Sequence, residues 1–249
     1  MSTIASIKAL LEEANEQLDD LPSPGEPPAQ EYPPAVNCLG GAVPSLPPNP
    51  FGPETCWNDK RTTMRDRFQH QLPDGAVICL GTSVTESWDV AQIHPACRKF
   101  GIGGDRLDSL LNRVGELQPC LSRAGAVILE IGVNDAGYVG MPTIIEHLDK
   151  LFGWLSGPLV VLDLIPSGII WPGGGTPYLS QATMAAFNNN LSAKLAGRPN
   201  CQIVPVCDAL RVPGGWMKPE YGPDLCHPNA EGYAVMRPLV QAGLASALI

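Results

Sequence analysis

The chain has 249 residues, enough for one sizeable domain with an extension. With 44% hydrophobic and 16% charged residues its composition is that of a globular protein, which excludes a fibrous or wholly disordered chain. A formal net charge of −9, with no Lys/Arg cluster to offset it, opposes binding to nucleic acid or anionic lipid. The first twenty residues carry acidic side chains and lack a signal-length apolar run, and later apolar stretches are broken by Gly and Pro. The expectation is a soluble protein without a membrane span, cytoplasmic by default, with export by another route left open. Eight cysteines without C-x-x-C spacing read as mostly reduced, buried thiols. Cys79 lies in an apolar run and fits that reading, whereas Cys38 and Cys56 stand in a loop-rich segment that leaves room for a bridge.

In chain order, Ile4, Ile7, Leu11, Ala14 and Leu18 recur at three- and four-residue steps and predict a helix over 2–18 with one apolar seam. So short a helix is unstable alone in water, so it is expected to dock on the body or on a second chain, and a homodimer is the favoured outcome. From 21 to 55 the chain is rich in Pro and Gly and reads as an arm. A second helix is predicted over 57–71, ending before the turn signal Pro73-Asp74-Gly75. Short apolar runs then alternate with helical segments. The runs lie at 76–80, 98–102, 126–131, 159–164 and 202–206, and the helices at 105–117, 142–155, 178–196 and 230–248. Such alternation is the mark of βαβ units. The expected fold is α/β, a three-layer α/β/α sandwich on a five-stranded parallel sheet, with domain boundaries at 1–56 for the arm and 57–249 for the body.

The first run ends in Gly81-Thr82-Ser83, which puts a serine at the carboxyl end of a parallel strand, where open α/β sheets hold their ligands. A helix-initial serine is also a common N-cap, so Ser83 alone decides nothing. Asp224 and His227 stand three residues apart in a loop before the last helix. A serine hydroxyl needs a base to become a nucleophile, and a histidine serves best when a carboxylate fixes its tautomer. Attack on a carbonyl also creates an oxyanion. Donors for it are available from the Gly101-Ile102-Gly103-Gly104 turn after the second run and from Asn134 after the third. Either segment alone is weak, since Gly-rich turns and Asn-Asp turns are common.

Together these segments resemble, in the same chain order, the SGNH hydrolases or GDSL esterase/lipase family. The likeness spans about 57–248 and leans towards the platelet-activating-factor acetylhydrolase branch. It implies Ser83 as nucleophile, Asp224 and His227 as the other catalytic pair, and the Ser83 N–H, Gly104 and Asn134 as the oxyanion hole. Two positions depart from the family pattern: Thr82 stands where an Asp is usual, which puts the support of the serine turn in question, and Lys99 stands where an Asn is common.

The activity expected is serine carboxylic ester hydrolysis through an acyl-serine, without metal or cofactor, on a small-molecule or carbohydrate ester. Trp88, Tyr138, Trp171 and Trp216 are candidates for lining the substrate cleft. Short connections after the strands predict a shallow cleft and a preference for acetyl-type groups. The alternatives are acyl transfer to a sugar or alcohol acceptor, and a non-catalytic binding or assembly module.

Overall fold

The computed structural model describes residues 72–136, 139–168 and 179–249. The helices expected at 2–18 and 57–71, the Pro-rich arm, Cys38, Cys56, Tyr138 and Trp171 lie outside the described residues. The apolar runs form five strands: β1 (Val77–Gly81), β2 (Cys97–Gly101), β3 (Ala126–Glu130), β4 (Leu159–Leu162) and β5 (Cys201–Val204). They pair in parallel in the order β2-β1-β3-β4-β5. β1, β3 and β4 are buried along their whole length, which is why they read as continuous apolar runs rather than as an alternation.

Among the described residues six α-helices complete the layers: α1 (Ser83–Ser87), α2 (Leu107–Leu121), α3 (Met141–Trp154), α4 (Gln181–Leu195), α5 (Val206–Leu210) and α6 (Ala230–Ala247). Alternate strand residues face opposite sides. Leu80, Leu129 and Val161 pack with Leu110, Leu148 and Phe187 of α2, α3 and α4. Cys79, Ile128 and Val160 pack on the other side with Val84, Leu210 and Met236 of α1, α5 and α6. Each fully buried Leu, Ile or Phe contributes about 1.5–3 kcal/mol relative to exposure, so these two clusters hold the layers together. None of the described helices is long and apolar enough to cross a membrane.

Most element ends lie within a few residues of expectation, and the change after β5 alters an element's type. The fifth strand stops at Val204, and Val206, expected in the strand, begins α5 instead. Pro205, at ψ 68°, leaves the extended backbone that a strand needs. The Asp163 carboxylate, just past β4, accepts the Cys207 N–H at 2.7 Å and so anchors the start of the new helix. The same residue marks the end of β4, expected to run to 164. In addition, a short helix, α1, begins at Ser83 itself. The chain leaves β1 towards β2 on one side and, after β2, returns by α2 on the opposite face to β3. The carboxyl ends of β1 and β3 therefore border the crevice of a topological switch point.

Candidate active site

Ser83 is positioned by the turn between β1 and α1. Thr82 is the N-cap of α1, and its Oγ1 accepts the Val84 N–H at 3.4 Å. Capping is thus the work of Thr82, and the Ser83 hydroxyl lies 2.9 Å from His227 Nε2. Beneath the turn, Oε2 of Glu130 accepts the Thr82 N–H at 3.0 Å, Thr82 Oγ1 at 2.8 Å and Thr85 Oγ1 at 3.3 Å. Burial pushes the Glu130 carboxyl above its ordinary pKa, and the Thr82 and Thr85 donors work against that rise. The support that Thr82 put in question for lack of an aspartate is supplied by a glutamate from the neighbouring strand.

His227 is held by a loop whose bonds are largely its own. Asp224 Oδ1 accepts the N–H groups of Cys226 at 2.9 Å and His227 at 2.8 Å, while Oδ2 lies 2.7 Å from His227 Nδ1. One carboxylate therefore folds the loop and orients the ring. Leu225 lies between them at φ +58°, a left-handed conformation that costs a non-glycine residue about 1–2 kcal/mol. Its carbonyl accepts the Gly168 N–H at 2.8 Å, tying the loop to the segment after β4. Asn229 then caps α6 through Oδ1, which accepts the Glu231 and Gly232 N–H groups at 3.0 Å. Partial burial works to raise the Asp224 pKa, but the donors from His227 and Cys226 outweigh it and leave the carboxyl below its ordinary value. The His227 and Asp224 side chains are 42% and 50% exposed, open to reactants and water.

The turn after β2 comes close to the same point. Gly101 lets α1 press on β2, since a Cβ there would meet Glu86 N at 2.3 Å and Thr82 O at 2.7 Å. Gly104 has φ +75°, which a side chain would strain. Glu86 Oε2 accepts the Gly103 N–H at 2.8 Å. Asn134 Nδ2 donates to the Asp105 carbonyl at 2.9 Å, so the turns after β2 and β3 are tied to each other. The Asn134-Asp135 turn also caps a helix: the Asp135 carboxylate accepts the Leu107 N–H at 3.0 Å, and burial lifts its pKa to about 8. Behind these turns Arg113, 1% exposed, pairs with Asp105 and donates to the carbonyls of Phe100 and Gly81, closing the ends of β2 and β1. Among the described residues no acceptor takes the N–H of Ser83 or of Gly104.

The structure therefore brings together Ser83, Asp224 and His227, and it gathers Gly104 and Asn134 on adjoining turns. Trp88 is placed otherwise than expected. It is 3% exposed in the core, stacked on Tyr233 with ring centroids 5.1 Å apart, so it packs and does not line a cleft. Trp216 is half-buried and packs over Gly168. Sequence reasoning passed over Glu130, Arg113 and Tyr233. A charge closing an apolar strand, and an arginine three residues after the buried Leu110 on α2, were the available signals for the first two.

A model of the GDSL-like Lipase/Acylhydrolase family matches residues 79–235, which hold all five of these positions. No curated protein matches the chain. Among solved structures it resembles a Streptococcus pneumonia protein named for platelet activating factor (TM-score 0.67, 19% identity, 76% of this chain and 92% of that one). It also resembles a GDSL-like lipase from Bacteroides thetaiotaomicron (TM-score 0.63, 19% identity, 77% and 100% covered). A third likeness is to an acetyl xylan esterase from Geobacillus stearothermophilus (TM-score 0.55, 15% identity, 70% and 96% covered). At these identities the structural likeness carries the fold, and the family match carries the class: the chain belongs to the GDSL-like lipase/acylhydrolase, or SGNH hydrolase, family and is a carboxylic ester hydrolase.

Proposed function

We propose that the chain hydrolyses short-chain carboxylic esters through an acyl-serine on Ser83, with His227 as the base and Asp224 as its partner. The observation that carries the reading is the unbroken chain of hydrogen bonds from Ser83 Oγ through His227 to Asp224, 2.9 Å and 2.7 Å long. With neutral His227 protonated on Nδ1, Asp224 accepts that proton's bond, and Nε2 accepts the Ser83 O–H. As Oγ attacks the ester carbonyl, His227 takes its proton. The N–H groups of Ser83 and Gly104, with the Asn134 amide, stabilise the oxyanion. His227 then protonates the leaving alcohol and activates water to release the acid.

The preference for acetyl-type groups is supported by the short connection after β2, which leaves little material on that side for an acyl tunnel. The likeness to an acetyl xylan esterase points the same way. The arm, residues 1–56, is taken as separate from the hydrolase domain at 57–249, and its apolar seam supports a homodimer.

A p-nitrophenyl ester series with Ser83→Ala as the control tests the reading. Ser83→Ala is expected to abolish hydrolysis with the fold intact. The specificity constant is expected to fall beyond about four acyl carbons, since an added methylene, about 0.8 kcal/mol when buried, finds no pocket. Activity in the Ala variant, or a constant rising through octanoate, would contradict the respective claims.

A further inference from the structure

A carboxylate lies buried directly beneath the Ser83 turn. Glu130 closes β3 opposite Gly81 of β1 and is 3% exposed. The rest of β3, Ala-Val-Ile-Leu, is apolar, and packing alone would be served by another apolar residue at this end. Burying a carboxyl there is costly unless hydrogen bonds offset the loss of water. Its bonds go to one place. Oε2 accepts Thr82 N–H, Thr82 Oγ1 and Thr85 Oγ1 at 3.0, 2.8 and 3.3 Å, from the residue before Ser83 and the residue two after it. Because Thr82 Oγ1 donates to Glu130, its lone pair is aimed at the Val84 N–H, the residue after Ser83. The backbone on both sides of Ser83 therefore depends on one oxygen of β3.

We infer that Glu130 is a positioning residue for the Ser83 nucleophile, fixing the turn through Thr82 and Thr85 so that Oγ meets His227 Nε2 and the Ser83 N–H faces the substrate. The inference rests on Ser83 being the nucleophile. Glu130 touches no reacting atom. An apolar side chain of similar size would leave three turn donors without an acceptor, and the turn would move to find others. A displacement of about 1 Å in such a group can cost a hundredfold in rate.

The test compares Glu130→Leu, Glu130→Gln and Thr82→Val in the full chain, with Ser83→Ala as the control. A fluorophosphonate probe reads serine alignment directly: the Ser83 Oγ–P bond forms, fluoride leaves and His227 takes the hydroxyl proton. Glu130→Leu is expected to lower the labelling rate per folded molecule and kcat at least about tenfold, with KM near wild type. Glu130→Gln, whose amide oxygen still accepts, is expected to stay within about threefold of wild type. Thr82→Val removes one donor to Glu130 together with the acceptor of the Val84 N–H that this donor aims, and is expected to fall in between; it decides the matter should Glu130→Leu not fold. A residue serving stability alone would lower the melting temperature without changing the labelling of folded molecules. Wild-type labelling in folded Glu130→Leu, or in Thr82→Val should the Leu variant not fold, overturns the inference. Labelling of Ser83→Ala overturns instead the nucleophile reading beneath it.

Discussion

At the scale of the residue, Asp224 has two duties on two oxygens: Oδ1 shapes the loop and Oδ2 meets the ring. An asparagine keeps an oxygen for the loop N–H groups but presents an amide N–H2 to His227 Nδ1, which favours the tautomer unable to accept the serine proton. Because Asp224 is half exposed, water can take part of its place. His227 has no such substitute, since it moves the proton itself. His227→Ala is therefore expected to cost on the order of 10⁵–10⁶ in kcat, and Asp224→Asn about a hundredfold less. Single-turnover kinetics on an activated acetyl ester measure both. Equal and negligible losses would assign Ser83 another partner.

At the scale of the element, the serine and the histidine belong to different helices' approaches, and their meeting depends on how α1 and α6 are joined. Tyr233, in the first turns of α6, donates its hydroxyl to the Val84 carbonyl of α1 at 2.7 Å, while its ring stacks on Trp88. Burial pushes the phenol above its ordinary pKa, so it remains a donor at neutral pH. Tyr233→Phe keeps the stack and removes the bond. The expected outcome is a stability loss of about 1 kcal/mol by urea unfolding. It should be accompanied by a kcat reduced about threefold to tenfold at unchanged KM. Lost stability with an unaltered kcat would restrict Tyr233 to packing.

At the scale of the whole molecule, buried carboxyls set the response to pH. Burial is the leading cause that lifts Asp163 from 3.8 to about 7 and Asp135 from 3.8 to about 8, and Glu130 is raised for the same reason. Between about 4 and these values the folded chain holds protons that the unfolded chain has released. Stability therefore falls as pH rises from about 4 towards 8, by an amount on the order of a few kcal/mol. Asp224 has the opposite sign: its lowered pKa contributes stability that is present above the ordinary carboxylate range and is lost as pH falls from that range through the lowered pKa. Urea midpoints are expected to be higher at pH 5 than at pH 8. Asp163→Asn, which keeps an acceptor for the Cys207 N–H but no charge, should flatten the profile. A midpoint that rises from pH 5 to 8 would show that these carboxyls are ionised in the folded state.

The sequence by itself determined the layers and most of the strand positions, because burial on both faces forces continuous apolar runs at β1, β3 and β4, and that pattern is local. Ser83, Asp224 and His227 were legible for a similar reason: the serine follows a strand directly, and the Asp-His pair is made within three residues. Only the tertiary structure decided what supports them. Glu130 meets Thr82 across 48 positions because β3 lies beside β1 with Gly81 opposite Glu130. Tyr233 reaches Val84 across 149 positions, and Ser83 meets His227 across 144. Trp88 turned from a candidate cleft residue into core because α6 covers it through Tyr233. The start of α5 straight after β5 is anchored by an aspartate more than forty residues earlier in the chain, whose carboxyl accepts the Cys207 N–H. Such contacts depend on strand order and on which face each helix covers, and no local periodicity encodes either.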